Sequence, residues 1–179
     1  MNKSEIRKKI LIIRKQAKHK NLKLNFKHIL KILREKKVQG KIIGGYYPYN
    51  YELDIMKILN DFEKKNFLIS LPKVRKNFKM DFFYWSVKEP LKINKYGIAE
   101  PISNKIVYPN IFIVPLIAYD EKLYRIGYGG GYYDRYLKKI KKRKKVITIG
   151  LAYSFQKVKK IPINKHDIKL DFVITEKNN

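Results

Sequence analysis

Residues 125–137 carry the sequence feature that most restricts the fold: four glycines, Gly127, Gly129, Gly130 and Gly131, fall within five positions between an apolar run at 111–118 and a helix-like stretch that opens at Tyr132. Glycine lets the backbone enter left-handed conformations, so successive N–H groups can point the same way and surround an anion. A helix that starts directly after such a loop adds its own unpaired N–H groups and the positive end of its dipole. A buried strand, a glycine loop and a helix in that order call for an α/β layer structure with a phosphate-sized cradle. The flanking tyrosines suggest a flat group beside it.

The rest of the chain has the matching rhythm. Ile6, Ile10, Ile13 and Ala17 recur at helical steps, predicting a helix over 3–19, and Ile29, Leu30, Ile32 and Leu33 predict a second over 26–37. A buried strand is expected at 41–47, opening a Gly- and Pro-punctuated loop through Tyr51. A helix follows at 53–64 and a strand at 67–71, closed by Pro72. Residues 80–87 alternate as a strand does, 111–118 reads as a strand buried on both faces, and 132–139 as a helix. Strands at 146–151 and 172–175 complete the series. Short buried strands alternating with helices predict a single three-layer, Rossmann-like α/β domain over residues 1–179, a mainly parallel sheet flanked by helices. In such sheets ligands collect at the carboxyl ends of the strands.

Composition removes several function classes. The chain has no cysteine, which excludes disulfides, thiol nucleophiles and Cys-ligated zinc and fits a reducing compartment. No apolar run approaches the roughly 20 residues that span a bilayer, and residues 1–20 alternate charge with isoleucine instead of building a signal core. Cytoplasmic localisation without membrane association is expected. The balance of 42 basic against 15 acidic residues gives a net charge of +27, which raises a polyanion partner. The lysines are spread along the whole chain, however, with Ile, Asn and Tyr also abundant, as AT-rich codon usage produces. No specific nucleic-acid partner is expected, and monomer is the default. The basic run at 138–145 reads as the exposed end of a helix.

The glycine loop is not a Walker A loop, because no Gly-Lys-Ser/Thr follows, and Tyr132 stands where the dinucleotide pattern needs its third glycine. Asp134, in the first turn of the following helix, reads as a favourable charge at a helix N-terminus, yet it would repel bound phosphates unless a divalent ion lay between them. Mg²⁺ held by one or two carboxylates plus phosphate oxygens is the usual arrangement. Asp167, in the loop before the last strand, is a second candidate ligand, although a loop Asp also serves as a turn former. Lys3 and Arg7 share one helical face and could reach a triphosphate, although in so basic a chain their spacing alone does not single them out. His19, His28 and His166 show no metal-ligand spacing, and no Ser-His-Asp order is present, so covalent catalysis is not indicated. The glycines alone leave kinase, isomerase and dinucleotide-binding readings open.

Taken together the segments resemble the 5-formyltetrahydrofolate cyclo-ligases. The resemblance rests on Val114-Pro-Leu-Ile-Ala-Tyr-Asp120 followed by Tyr124-Arg-Ile-Gly-Tyr-Gly-Gly-Gly-Tyr-Tyr-Asp-Arg-Tyr136. It continues through Gly150-Leu-Ala-Tyr153, Gln156, Pro162, His166, Asp167 and Asp171-Phe-Val-Ile-Thr-Glu176. Upstream it takes in Lys3-Ser-Glu-Ile-Arg7, Tyr47-Pro48, Glu52-Leu-Asp54, Leu71-Pro72, Met80 and Gly97-Ile-Ala-Glu-Pro101.

The resemblance implies ATP- and Mg²⁺-dependent cyclisation of 5-formyltetrahydrofolate to 5,10-methenyltetrahydrofolate, with release of ADP and phosphate. ATP would be held by Lys3, Ser4, Glu5, Ile6 and Arg7 together with Arg125, Ile126, Gly127, Tyr128, Gly129, Gly130, Gly131, Tyr132 and Tyr133. Lys3 and Arg125 would stabilise charge, without a covalent catalyst. Asp134 and Asp167 would ligate Mg²⁺, and Tyr47, Glu52, Trp85, Tyr132 and Tyr133 would contact the folate, although Trp85 also reads as a core aromatic of its strand. Two other readings stand beside this one: a basic nucleic-acid-binding protein without catalysis, and a sugar-phosphate enzyme of related fold.

Overall fold

The fold is known from a computed structural model that describes residues 1–17 and 26–177. Lys18 and His19, at the end of the expected first helix, lie outside the described residues. The elements run α1 (Lys3–Gln16), α2 (Phe26–Glu35), β1 (Ile42–Gly44), α3 (Met56–Glu63), β2 (Leu68–Val74), β3 (Met80–Tyr84), β4 (Leu91–Ile93) and β5 (Ala99–Pro101). They continue with β6 (Ile106–Val107), β7 (Ile111–Val114), β8 (Ala118–Tyr119), β9 (Arg125–Ile126), α4 (Tyr132–Lys141), β10 (Ile147–Leu151) and β11 (Phe172–Ile174).

The central sheet has the order β11-β10-β7-β1-β2-β3-β6. Strands β11, β10, β7, β1 and β2 are mutually parallel, and β3 runs against both of its neighbours. The expected mainly parallel sheet is present. Alternation along each strand supplies two apolar faces. Ile43, Ile69, Ile111, Ile113 and Ile149 meet α2 and α3 through Ile29, Leu33, Leu59 and Phe62. Phe82, Phe112, Val114 and Val173 meet α4 through Tyr136, Leu137 and Ile140 on the opposite side. Phe62 is clamped edge-on by Phe26 and Phe67, with ring centroids 4.8 and 5.0 Å away. No helix among the described residues is long and apolar enough to cross a membrane.

Two boundaries differ from expectation for identifiable reasons. Pro72 does not close its strand, because β2 runs on to Val74 and pairs Pro72 with Phe82 of β3. The Ser70 carbonyl, two residues earlier and so on the same edge, accepts from Gly45 just past β1. The missing N–H of Pro72 therefore points to the side where β1 has ended and no ladder partner waits. The apolar run 111–118 is two strands rather than one. Pro115 breaks it after β7, and Ala118 starts a small hairpin in which Ala118 pairs with Ile126 and Tyr119 with Arg125. That hairpin launches the glycine loop, and α1 packs on it through Ile6 and Ile10 against Ile117, Ala118 and Ile126. Residues 85–87, expected as strand, follow β3 as a turn.

Candidate active site

A cavity of about 940 Å³ opens beyond the carboxyl ends of β1, β2 and β7, where Tyr46, Val74 and Leu116 line it. One part of its lining comes from α1, the glycine loop and the start of α4. An Asn2–Glu5 capping box fixes the first turn of α1, which brings Lys3 and Arg7 to the rim. Arg7 Nε donates to the Gly127 carbonyl at 2.8 Å, tying the helix to the loop. Gly129 and Gly131 take left-handed φ values of 102° and 64°, which a side chain rarely tolerates. The backbone N–H groups of residues 128–133 donate to no protein acceptor among the described residues. They remain available to an anion.

Two aspartates frame this wall, each held by a cation and a backbone N–H. Asp134 Oδ1 accepts from Arg125 Nη1 at 2.9 Å and from Ile168 N at 3.1 Å. Asp167 Oδ2 accepts from Lys3 Nζ at 2.5 Å and from Asn164 N at 2.7 Å. The Arg125 side chain is 4% exposed and that of Asp134 23%, so the pair is shielded from water. Among the described residues no group of three or more His, Cys, Asp or Glu side chains gathers to bind a metal. Two carboxylates with bonds on only one oxygen each nevertheless fit an ion that completes its shell with phosphate oxygens and water.

The rest of the lining adds a carboxylate and aromatic rings. Glu52 is half-buried, and its Oε2 accepts from Tyr49 N at 3.0 Å. Burial pushes its carboxyl up to about 7, against the opposing pull of the Tyr49 N–H and of Arg14. The Tyr133 hydroxyl is buried without a hydrogen-bond partner, and burial followed by the Glu52 charge raises its pKa strongly, with Arg125 opposing. Tyr133 lines the cavity, but its hydroxyl is enclosed behind that surface as an unpaired polar atom. Tyr132 lies near Phe78, with centroids 6.4 Å apart, and the Arg135 guanidinium sits 5.4 Å from its ring centre.

Of the expected site residues, Lys3, Arg7, Arg125 to Asp134, Asp167, Tyr47 and Glu52 do line one cavity. Four others do not. Trp85 is 3% exposed in the core with Ile69 and Leu71, and its indole N–H is satisfied by the Glu89 carbonyl at 3.0 Å. Glu5 is spent on the capping box, Ile6 on the core beneath the hairpin, and Ser4 is exposed away from the cavity. Residues not foreseen are Tyr49, Phe78, Tyr96 and Arg135, all on the lining, and Arg14 just behind it. Arg14 had a readable signal. It follows Ile6 and Ile10 at helical steps, on the stripe that periodicity assigns to the core.

A model of the 5-formyltetrahydrofolate cyclo-ligase family matches residues 1–176. The 5-formyltetrahydrofolate cyclo-ligase of Haemophilus influenzae is 32% identical over 150 residues, covering 80% of this chain and 79% of its own. That of Mycoplasma genitalium is 28% identical and covers 97% and 98%. Among solved structures, the 5,10-methenyltetrahydrofolate synthetase of Aquifex aeolicus superimposes with a TM-score of 0.74 at 30% identity, over 99% of this chain and 91% of its own. The Mycoplasma pneumoniae synthetase gives 0.71 at 26%, over 97% and 98%. With the match running through nearly all of the described fold and both walls of the cavity, the chain is an enzyme and belongs to the 5-formyltetrahydrofolate cyclo-ligase family.

Proposed function

We propose that the cavity joins ATP to 5-formyltetrahydrofolate and releases 5,10-methenyltetrahydrofolate, ADP and phosphate. One observation carries this reading: Lys3, Arg7, Arg125 and a row of unpaired backbone N–H groups form one wall of a cavity whose other wall holds Glu52. The first wall suits phosphates. The second suits the amino-pyrimidine edge of a pterin, which offers paired N–H donors to a carboxylate.

The formyl oxygen on N5 is a poor leaving group, so attack by N10 alone cannot close the ring. Transfer of the γ-phosphoryl group from ATP to that oxygen gives an imidoyl phosphate and ADP. N10 then attacks the formyl carbon, its proton is lost, and the C–O bond breaks with departure of phosphate. The two substrates supply every bond made and broken, and the chain contributes position and charge. Lys3 and Arg125 are held by Asp167 and Asp134 before any ligand arrives. Their charges stand ready for the phosphoryl oxygens with little reorganisation. Asp134 and Asp167 are the residues that would hold Mg²⁺, which when bound screens phosphate charge from those carboxylates and polarises the transferring group. Tyr47 and the rings of Tyr132 and Tyr133 border the space left for the pterin and benzoyl groups.

Purified protein given 5-formyltetrahydrofolate, ATP and Mg²⁺ is expected to produce the near-ultraviolet absorbance of the methenyl product, and none when ATP or Mg²⁺ is withheld. Folded protein that produces no absorbance change with all three present would overturn the proposal.

A further inference from the structure

Arg14 is 2% exposed, yet it forms no ion pair among the described residues, and its Nε has no hydrogen-bond partner. An enclosed guanidinium without a carboxylate is costly unless its remaining bonds are good. Those bonds all lead to pieces of the active site. Nη2 donates to the Asn50 carbonyl at 2.9 Å and to the Tyr128 hydroxyl at 2.5 Å, and Nη1 reaches the Leu116 carbonyl at 3.5 Å. The Tyr128 hydroxyl passes its own proton toward the Tyr49 carbonyl at 3.4 Å, and the Tyr49 N–H donates to Glu52. The rings of Tyr49 and Tyr128 meet edge-on with centroids 5.9 Å apart.

The loop at the end of this chain of bonds is strained. Asn50 and Tyr51 both hold left-handed backbones, with φ of 48° and 58°. Asn accepts that region readily, but an aromatic residue does not, and such a conformation persists only where surrounding contacts impose it. The grip of Arg14 on the Asn50 carbonyl is such a contact. Arg14 shares α1 with Lys3 and Arg7, and Arg7 holds the same glycine loop at Gly127. One helix thus pins the phosphate loop at Gly127 and Tyr128 and the Glu52 loop at Asn50.

We propose that Arg14 is a positioning residue for folate recognition: through Tyr128 and the carbonyl of Asn50 it holds the Glu52 loop in register with the phosphate loop. The inference rests on the reading of Glu52 as the folate-facing carboxylate. Arg14 also supplies the positive charge that opposes burial at Glu52. The other groups facing Glu52 are the phenols of Tyr46, Tyr128 and Tyr133, none of which brings a cation. Glu52 must be ionised to accept paired bonds from a pterin, so kcat/KM for folate should rise with pH through its pKa. Without Arg14, burial at Glu52 goes less opposed and that limb moves to higher pH.

Steady-state kinetics across pH on Arg14→Gln, Arg14→Lys, Tyr128→Phe and Glu52→Gln test this. Arg14→Gln is expected to raise KM for 5-formyltetrahydrofolate about tenfold, as loss of a charge-assisted hydrogen bond does, with KM for ATP nearly unchanged and the acid limb displaced upward. Arg14→Lys keeps the charge and should return the limb to the wild-type position. A purely structural role would lower stability and the active fraction, leaving the two KM values in proportion and the limb in place; that outcome overturns the proposal. If neither Arg14 variant folds, Tyr128→Phe decides. It removes one hydroxyl and should raise the folate KM about threefold, and an unchanged folate KM overturns the proposal. Glu52→Gln separates the two levels. If it leaves the folate KM unaltered, the Glu52 reading itself fails. If it raises the folate KM while the Arg14 and Tyr128 variants do not, only the positioning role fails.

Discussion

Replacing Asp134 by Asn tests whether this carboxylate serves an ion or only the start of α4. The substitution keeps an Oδ1 that can still accept from Arg125 Nη1 and Ile168 N, now 2.9 and 3.1 Å away, but it removes the charge. A hydrogen bond to a charged group contributes about 1.5–3 kcal/mol and a neutral one about 0.5–1.5; Arg125 stays charged, but the Ile168 N–H contact becomes neutral and the ion pair loses its attraction, so the substitution should cost about 1–2 kcal/mol. The partial exposure of Asp134 keeps this below the several kcal/mol of a fully enclosed pair. In a chain of this length Tm should fall by about 2–8 °C. The effect on ligands should depend on the ion. With Mg²⁺ present, affinity for a non-hydrolysable ATP analogue should drop at least about tenfold, while that for 5-formyltetrahydrofolate stays within about twofold. With Mg²⁺ chelated the sign should reverse, because removing a carboxylate beside bound phosphates removes repulsion. Calorimetric titrations with and without Mg²⁺, alongside a thermal melt, give all four quantities. Equal losses for the two ligands, or the same loss of analogue affinity with and without the ion, would refute the reasoning.

Glu52→Gln should stabilise the fold increasingly as pH rises. The folded-state pKa lies at about 7, above an ordinary carboxyl, so the contribution of Glu52 to stability is complete below about pH 4.5 and lost as pH rises through 7. The Tm difference between variant and wild type should therefore grow from pH 4 to pH 8, and a flat difference would show that Glu52 is better solvated than its surroundings indicate. Gly150→Ala places a methyl 2.6 Å from Leu116 Cδ2 and 2.8 Å from Leu170 Cδ1. Overpacking of that kind costs about 1–3 kcal/mol, readable as a lowered calorimetric Tm, and an unchanged Tm would mean that both leucines swing aside freely.

What could be read from the sequence divides by the range of the interaction that fixes it. The glycine loop was legible because its requirement is local: positive φ at Gly129 and Gly131 and a helix starting at once. The strand at 67–71 was legible, but its end was not, since tolerance of Pro72 depends on β1 stopping opposite Ser70. Trp85 was ambiguous for a related reason. An aromatic at a strand end meets either cavity or core according to a neighbour, and here the Glu89 carbonyl, brought round by a turn, satisfies the indole inside the core. Cations were the hardest to sort. Among 42 of them, residue type separates none, and Lys3 and Arg7 stood out only because they share one helical face and match the family's N-terminal pattern. Arg14 differs from its neighbours in falling on the apolar stripe, and its burial there follows from where α1 lies on the β8–β9 hairpin. Yet a buried cation on an apolar stripe has to be satisfied by something, and in this fold its partners are the backbone of the Glu52 loop and a hydroxyl of the glycine loop. The residue that breaks the hydrophobic pattern of α1 is the one that joins the two walls of the site.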